Sequence, residues 1–351
     1  MAKHIVFYVH GMGQHDTAWA EAAAGPVDTL RRASTAYAYF ADRPLDTLLD
    51  VVPVRYDEIF QAAVERWRRG AEPAASLDPD NAFGRALDAL AGASEQSFFW
   101  GHAADVLMYR CLGWYRELVR AHVIEQIAER VERAWAEEGT ARCSVIAHSL
   151  GTAVAHDSVH LLGTRRWGNA ASPFHPSHWR FQHVVMVANT SRLLQTPSVE
   201  VAPAYGSIVR PGPVEDAGSY CATYLNVRHG FDPVPQPRRF DPVGWRKEYS
   251  TVVVDHLRDP NVHGFSHYLQ NPRVHVPVLR RLTRSSAVTA AEEVREIEAF
   301  PQIDVAEPLE RARAHLLDLQ ALALDAGDDP TAPRLARMLV ALFALVERYR
   351  Q

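Results

Sequence analysis

The sequence predicts an α/β protein with a mostly parallel, doubly wound sheet, and three observations carry that reading. Continuous apolar runs rich in β-branched and aromatic residues recur along the chain, as strands covered on both faces require. Helical stretches separate those runs, the alternation that builds parallel sheets. One run, from Cys143 to Ala147, passes through His148-Ser149-Leu150-Gly151 directly into a helix of small residues.

In chain order, residues 5–9 form the first strand and lead into the glycine turn His10-Gly11-Met12-Gly13. Residues 17–39 are alanine-rich and read as mostly helical, broken near Gly25-Pro26. A second strand is expected over 50–56. Residues 58–115 read as a helical insertion, punctuated by Gly70 and Pro73 and carrying several aromatics, among them Trp67, Phe98, Trp100 and Trp114. A charged amphipathic helix follows from about 116 to 138 and stops at Gly139. Strands at 143–147, 183–188, 222–227 and 251–255 complete the sheet, and the Pro- and Gly-rich stretch 190–219 reads as a long loop. The chain turns helical beyond residue 276, with a hairpin of two amphipathic stretches at 307–324 and 333–348. The expected organisation is one α/β domain over 1–285, with 58–115 as a helical cap, and a helical extension over 286–351.

Composition narrows the function classes. The chain has 351 residues, a net charge of −5 and interspersed acidic and basic residues, so nothing gives the electrostatic footprint of a nucleic-acid binder. Three separated cysteines, Cys111, Cys143 and Cys221, form neither a disulfide framework nor a zinc ribbon and suit a reducing compartment. No apolar stretch approaches the roughly 18 residues of a membrane span, and the short apolar N-terminal run lacks the length and cleavage site of a signal peptide. A cytoplasmic location without an integral membrane segment is the expectation.

The chemistry-bearing residues cluster in four places. A serine hydroxyl becomes a useful nucleophile when a base takes its proton and a sharp turn presents it outward. Ser149, on Ala147-His148-Ser149-Leu150-Gly151 between strand and helix, fits that need, with Ala147 where the first glycine of G-x-S-x-G is usual. The plain alternative is a serine capping a helix. Acyl transfer also needs donors for an oxyanion. The Leu150 N–H is one candidate, and Met12, with Gly13 as alternative, is the second. An acid is expected in a loop at a strand's C-terminal end, where Asp232-Pro-Val-Pro follows the strand at 222–227; Asp241 and Asp255 remain alternatives. For the base, Asn261-Val-His-Gly-Phe-Ser-His-Tyr-Leu offers His263 and His267. His267 is preferred, because Tyr268-Leu269 can anchor it against the core. His148 is set aside as a base because its side chain, next to the nucleophile, should point elsewhere.

The combination V-H-G-M-G, A-H-S-L-G-T, D-P-V-P and S-H-Y-L resembles the lipase and esterase branch of the α/β hydrolases. It is similar to the class 3 lipases and to bacterial serine hydrolases resembling the GPI inositol-deacylases, a likeness that Asp105-Val-Leu-Met-Tyr-Arg extends. It covers about residues 5–269. The resemblance implies the α/β-hydrolase fold, an Asp-Pro-Val-Pro turn carrying the acid, and a histidine followed closely by an aromatic as base. Matched by motif, these are Ser149, Asp232 and His267.

The expected function is therefore hydrolysis of a small-molecule carboxylic ester; the aromatic insertion reads equally as a cap over an apolar acyl chain or as the core of a helical layer. Thioester or amide cleavage or acyl transfer by the same three residues is the alternative within the class. A non-catalytic binding or scaffold protein, docking a partner through the C-terminal helices, is the alternative outside it. Neither a cofactor nor a catalytic metal is expected, since no H-E-x-x-H or tight Cys/His cluster occurs in the sequence.

Overall fold

A computed structural model describes residues 3–11, 18–68, 106, 108–110, 113–164, 174–194, 205–213, 216, 218–236, 238–245, 248–258 and 262–300. The strands are β1 (His4–Val9), β2 (Leu49–Val54), β3 (Cys143–His148), β4 (Phe181–Val187), β5 (Cys221–His229) and β6 (Tyr249–Val254). The α-helices are α1 (Pro26–Ser34), α2 (Leu45–Leu48), α3 (Asp57–Arg68), α4 (Gly113–Glu138), α5 (Leu150–Gly163), α6 (Ser191–Leu194), α7 (Phe265–Gln270), α8 (Pro272–Leu282) and α9 (Ala290–Ala299). The strands pair in the order β2-β1-β3-β4-β5-β6, and every pair is parallel. This is an α/β fold on a six-stranded parallel sheet.

The apolar runs follow from the layering. Ile5, Phe7 and Val9 of β1 face one core with Val145 of β3 and with α4 and α5, whose Val123, Ile127, Val154 and Val159 are buried there. Val6 and Tyr8 face the opposite core, which Leu30 of α1 and Val274, Val278 and Leu279 of α8 complete. A strand flanked by helices on both sides has no wet face, so alternation disappears and the run becomes continuously apolar. Pro53 lies on β2 at the sheet edge, where its missing N–H is tolerated.

Two expected helices differ from the sequence reading. The first half of 17–39 is not an α-helix where described: residues 18–25 form turns, and α1 starts with Pro26 at its first position, where an absent N–H costs nothing. A Cβ at Gly25 would meet the carbonyl oxygens of Trp19, Ala20 and Ala22 at 2.8 Å, so the turn closes tightly there. The C-terminal helices begin before residue 276, with α7 and α8. The loop expected over 190–219 contains the short helix α6. Most of the cap region, 69–105, and the hairpin stretches 307–324 and 333–348 lie outside the described residues. None of the described helices is long and apolar enough to cross a membrane.

The chain leaves β1 for β2 on one side and returns to β3 on the other, so the connections after β1 and β3 diverge. Parallel sheets open a crevice at the carboxyl ends of such strands. The segment after Val9 and the turn at Ser149 both lie there.

Candidate functional site

Ser149 occupies the single residue between β3 and α5 and has φ 54° and ψ −127°, a conformation that costs a non-glycine residue of order 1–3 kcal/mol. The surrounding bonds over-determine it. Its N–H donates to the Val187 carbonyl at 3.0 Å. Its carbonyl accepts from the hydroxyls of Thr152 at 2.6 Å and Thr190 at 2.7 Å. Small neighbours make the turn possible. A Cβ on Gly151 would stand 2.0 Å from the His10 carbonyl oxygen, and one on Gly11 would stand 2.9 Å from the Ser149 Cβ. Ala147 is buried in β3 between Val9 and Met186, so a methyl fits where glycine is usual.

The Ser149 Oγ lies 2.8 Å from His263 Nε2, and His263 Nδ1 lies 2.8 Å from Asp232 Oδ2. The carboxylate accepts, so Nδ1 carries the proton and Nε2 is left to accept from the serine hydroxyl. Asp232 is fully buried in the loop after β5, while His263 is partly exposed just before α7. Burial would raise the Asp232 carboxyl, but the His263 charge, with hydrogen bonds from His263, the Tyr268 hydroxyl and the Val234 N–H, holds it below its ordinary range. The Tyr268 hydroxyl donates to Oδ2 at 2.5 Å and the Val234 N–H to Oδ1 at 2.9 Å.

Asp232 thus stands where the sequence places an acid. Asp241 is exposed, its N–H donating to the Tyr205 hydroxyl, and Asp255 is exposed as well. The preference for His267 is corrected: the histidine brought to Ser149 is His263. Helix α7 explains this, because it starts after Gly264 and turns Tyr268 toward Asp232. His267, one residue earlier and about 100° round the helix, is carried to the far side, toward His229 and His256. Tyr268 anchors Asp232 rather than the neighbouring histidine. The His148 Nε2–H donates to the His263 carbonyl at 2.7 Å, and its ring stacks on Phe265. It therefore holds the loop that carries His263, a role that sequence reasoning missed and that no motif in the sequence signals. Leu150 opens α5, where first-turn N–H groups have no intrahelical acceptor and the helix dipole favours negative charge. Met12 and Gly13 lie outside the described residues.

His229, His256 and His267 bring ring nitrogens within 4.8 Å of one another, all buried. Hydrogen bonds account for both nitrogens of two of them. His229 Nε2–H donates to the His256 carbonyl and Nδ1 accepts from the Phe231 N–H. His256 Nε2–H donates to the His267 carbonyl and Nδ1 bonds the Asn271 amide. Those lone pairs and protons are spent on the protein, which makes the trio a packing unit joining the β5 and β6 loops to α7.

Burial sets the protonation of His229 and His256 and of three other histidines. Desolvation lowers His256 to about 3, helped by the charges of His267 and His229, and lowers His229 as well. Desolvation likewise takes His4 and His275 to about 4 and His183 to about 3. Unfolding returns each to about 6.5, so below pH 6.5 the unfolded chain binds more protons and stability falls as pH falls. At pH 5 the loss is about 2 kcal/mol for each imidazole still neutral in the fold. A steep fall in melting temperature between pH 7 and pH 5 is expected by calorimetry. An unchanged midpoint across that window would refute neutral burial of these rings.

No family model and no curated protein matches the sequence. Five chains among the solved structures match. One, described as an uncharacterized protein from Pseudomonas aeruginosa, is 10% identical, with 96% of this chain and 52% of that chain covered and a TM-score of 0.37. The chain therefore spans about half the length of that relative.

Proposed function

We propose that the chain is a serine hydrolase of the α/β-hydrolase type that cleaves carboxylic esters through an acyl-enzyme. The observation that carries this reading is the continuous hydrogen-bonded chain Ser149–His263–Asp232, anchored at a strained strand-to-helix turn. The chain order serine, acid, histidine is the one that fold uses. His263 Nε2 takes the hydroxyl proton as Ser149 Oγ attacks the acyl carbon, and Asp232 stabilises the imidazolium that results. The oxyanion is met by the Leu150 N–H and by an N–H of the loop after β1, where Met12 is the donor expected from sequence. His263 then returns its proton to the leaving alcohol, and a water molecule activated by the same imidazole releases the acid.

The test is a fluorophosphonate probe together with p-nitrophenyl esters of increasing chain length. Wild type should label and turn over; Ser149→Ala should lose both, with kcat reduced on the order of 10⁶-fold. Labelling that survives Ser149→Ala would place the nucleophile elsewhere. A well-folded wild type that neither labels nor turns over would leave the binding-protein alternative.

A further inference from the structure

Two donors converge on one oxygen of Asp232. His263 Nδ1–H donates to Oδ2 at 2.8 Å and the Tyr268 hydroxyl donates to the same atom at 2.5 Å, while Oδ1 takes the Val234 N–H at 2.9 Å. The Tyr268 oxygen in turn accepts the His229 N–H at 3.1 Å, and a hydroxyl that accepts in this way is polarised into a stronger donor. Tyr268 and Asp232 are both fully buried. Burial and the Asp232 charge push the phenol well above its ordinary range, so the hydroxyl keeps its proton and remains a donor near neutrality.

When Ser149 gives up its proton, His263 becomes a cation that Asp232 steadies through Oδ2. Bonds to an ionised oxygen draw on its charge, and whatever the phenol takes from Oδ2 is withheld from the imidazolium. Asp232 has no guanidinium or ammonium partner among the described residues, so its charge is met by these two groups and the Val234 N–H. The other titratable groups facing them are His148, whose ring lies 4.8 Å from that of His263, and His229, 5.9 Å from the Tyr268 ring. Asp255, exposed after β6, acts on His229. We propose that Tyr268 is a positioning residue that shares Asp232 Oδ2 with His263 and so limits how tightly the carboxylate holds the imidazolium, extending the working range of the base toward lower pH. The proposal rests on the serine-hydrolase reading above and goes beyond anchoring. An anchor only keeps the carboxylate in place, whereas a competitor for Oδ2 sets the pH at which His263 can accept the serine proton.

Tyr268→Phe keeps the buried ring and removes the donor. It is compared with wild type through the pH dependence of kcat/KM on p-nitrophenyl butyrate, whose acid limb reports the base of the free enzyme. NMR titration of the His263 ring, identified as the resonance missing from His263→Ala, follows the same group without turnover. With part of one charged hydrogen bond passed to the imidazole, the acid limb and the NMR midpoint should move upward together by about one pH unit. The plateau of kcat/KM should stay within about tenfold of wild type, since the base remains in place. Tyr268→Phe also strips the His229 N–H of its acceptor. If that variant does not fold, 3-fluorotyrosine at position 268 carries the test: its more acidic phenol is the stronger donor and should move both midpoints downward. Midpoints that stay put, or that move in the opposite sense, would overturn the proposal and leave Tyr268 an anchor, with the hydrolase reading intact. A wild type that does not react with fluorophosphonate would overturn the hydrolase reading, and the NMR titration would still decide whether phenol and imidazole compete for the carboxylate.

Discussion

His263→Ala is expected to reduce kcat/KM on p-nitrophenyl esters by about 10⁴–10⁶-fold, while His267→Ala leaves the chemistry within about tenfold of wild type and lowers stability instead. The contrast follows from position. His263 Nε2 is the atom 2.8 Å from the Ser149 hydroxyl, and without it nothing accepts the proton as the serine attacks. His267 Nε2 donates to the His256 carbonyl at 3.2 Å, and its ring stacks on His256 at 4.2 Å. Truncating it opens a cavity in a buried cluster and loosens the junction between α7 and the β6 loop, a penalty of about 2–4 kcal/mol. Kinetics and thermal unfolding measured on both variants separate the two roles. Should His267→Ala abolish turnover at a temperature where it remains folded, or His263→Ala retain it, the assignment of the base would be wrong. Residual activity in His263→Ala should equal that of the double variant with Ser149→Ala, because groups that act as one unit do not add.

How far the sequence carries can be read from these two histidines. The strands were legible because a sheet covered on both faces writes continuous apolar runs, and the serine turn was legible because it needs small residues on a strand-to-helix boundary. Asp232 was legible from the loop after β5. The histidine paired with Ser149 was not, because His263 and His267 share a nine-residue segment and differ only in where α7 begins. That boundary is set at Gly264, and a glycine between two aromatic-rich stretches does not declare itself as a helix cap in sequence. The role of His148 was not legible either, because its bond to the His263 carbonyl spans 115 positions and depends on the packing of two loops.

Arg120→Ala should lower the folding free energy by about 3–5 kcal/mol and the melting temperature by roughly 10 °C. Arg120 is fully buried on α4, its Nη2 2.5 Å and its Nε 3.2 Å from Asp157 Oδ2 on α5, with Nη1 2.6 Å from Glu117. The Tyr109 hydroxyl donates to the same carboxylate at 2.8 Å, and His156 Nδ1 bonds its other oxygen at 3.1 Å. His156 Nε2 in turn meets the Ser207 hydroxyl at 2.7 Å. Ser207, His156 and Asp157 thus repeat the residue types found at Ser149, but all three are buried and Arg120 neutralises the carboxylate, so this second chain is built to hold α4 against α5. Burial would raise the Asp157 carboxyl; the His156 hydrogen bond and the Arg120 charge outweigh it and hold the group well below the carboxylate range. Its contribution is therefore present at all pH above the unfolded value near 3.9 and is lost only as pH falls below that. Removing the guanidinium leaves a buried carboxylate without its charge partner, the costly way to break such a pair. Replacing both partners by apolar residues, as in Arg120→Met with Asp157→Leu, should recover much of the loss, because no charge then remains to be desolvated. Urea unfolding of the single and double variants checks both statements. A single variant within 1 kcal/mol of wild type, or a double variant less stable than Arg120→Ala, would show that the pair does not carry the α4–α5 interface.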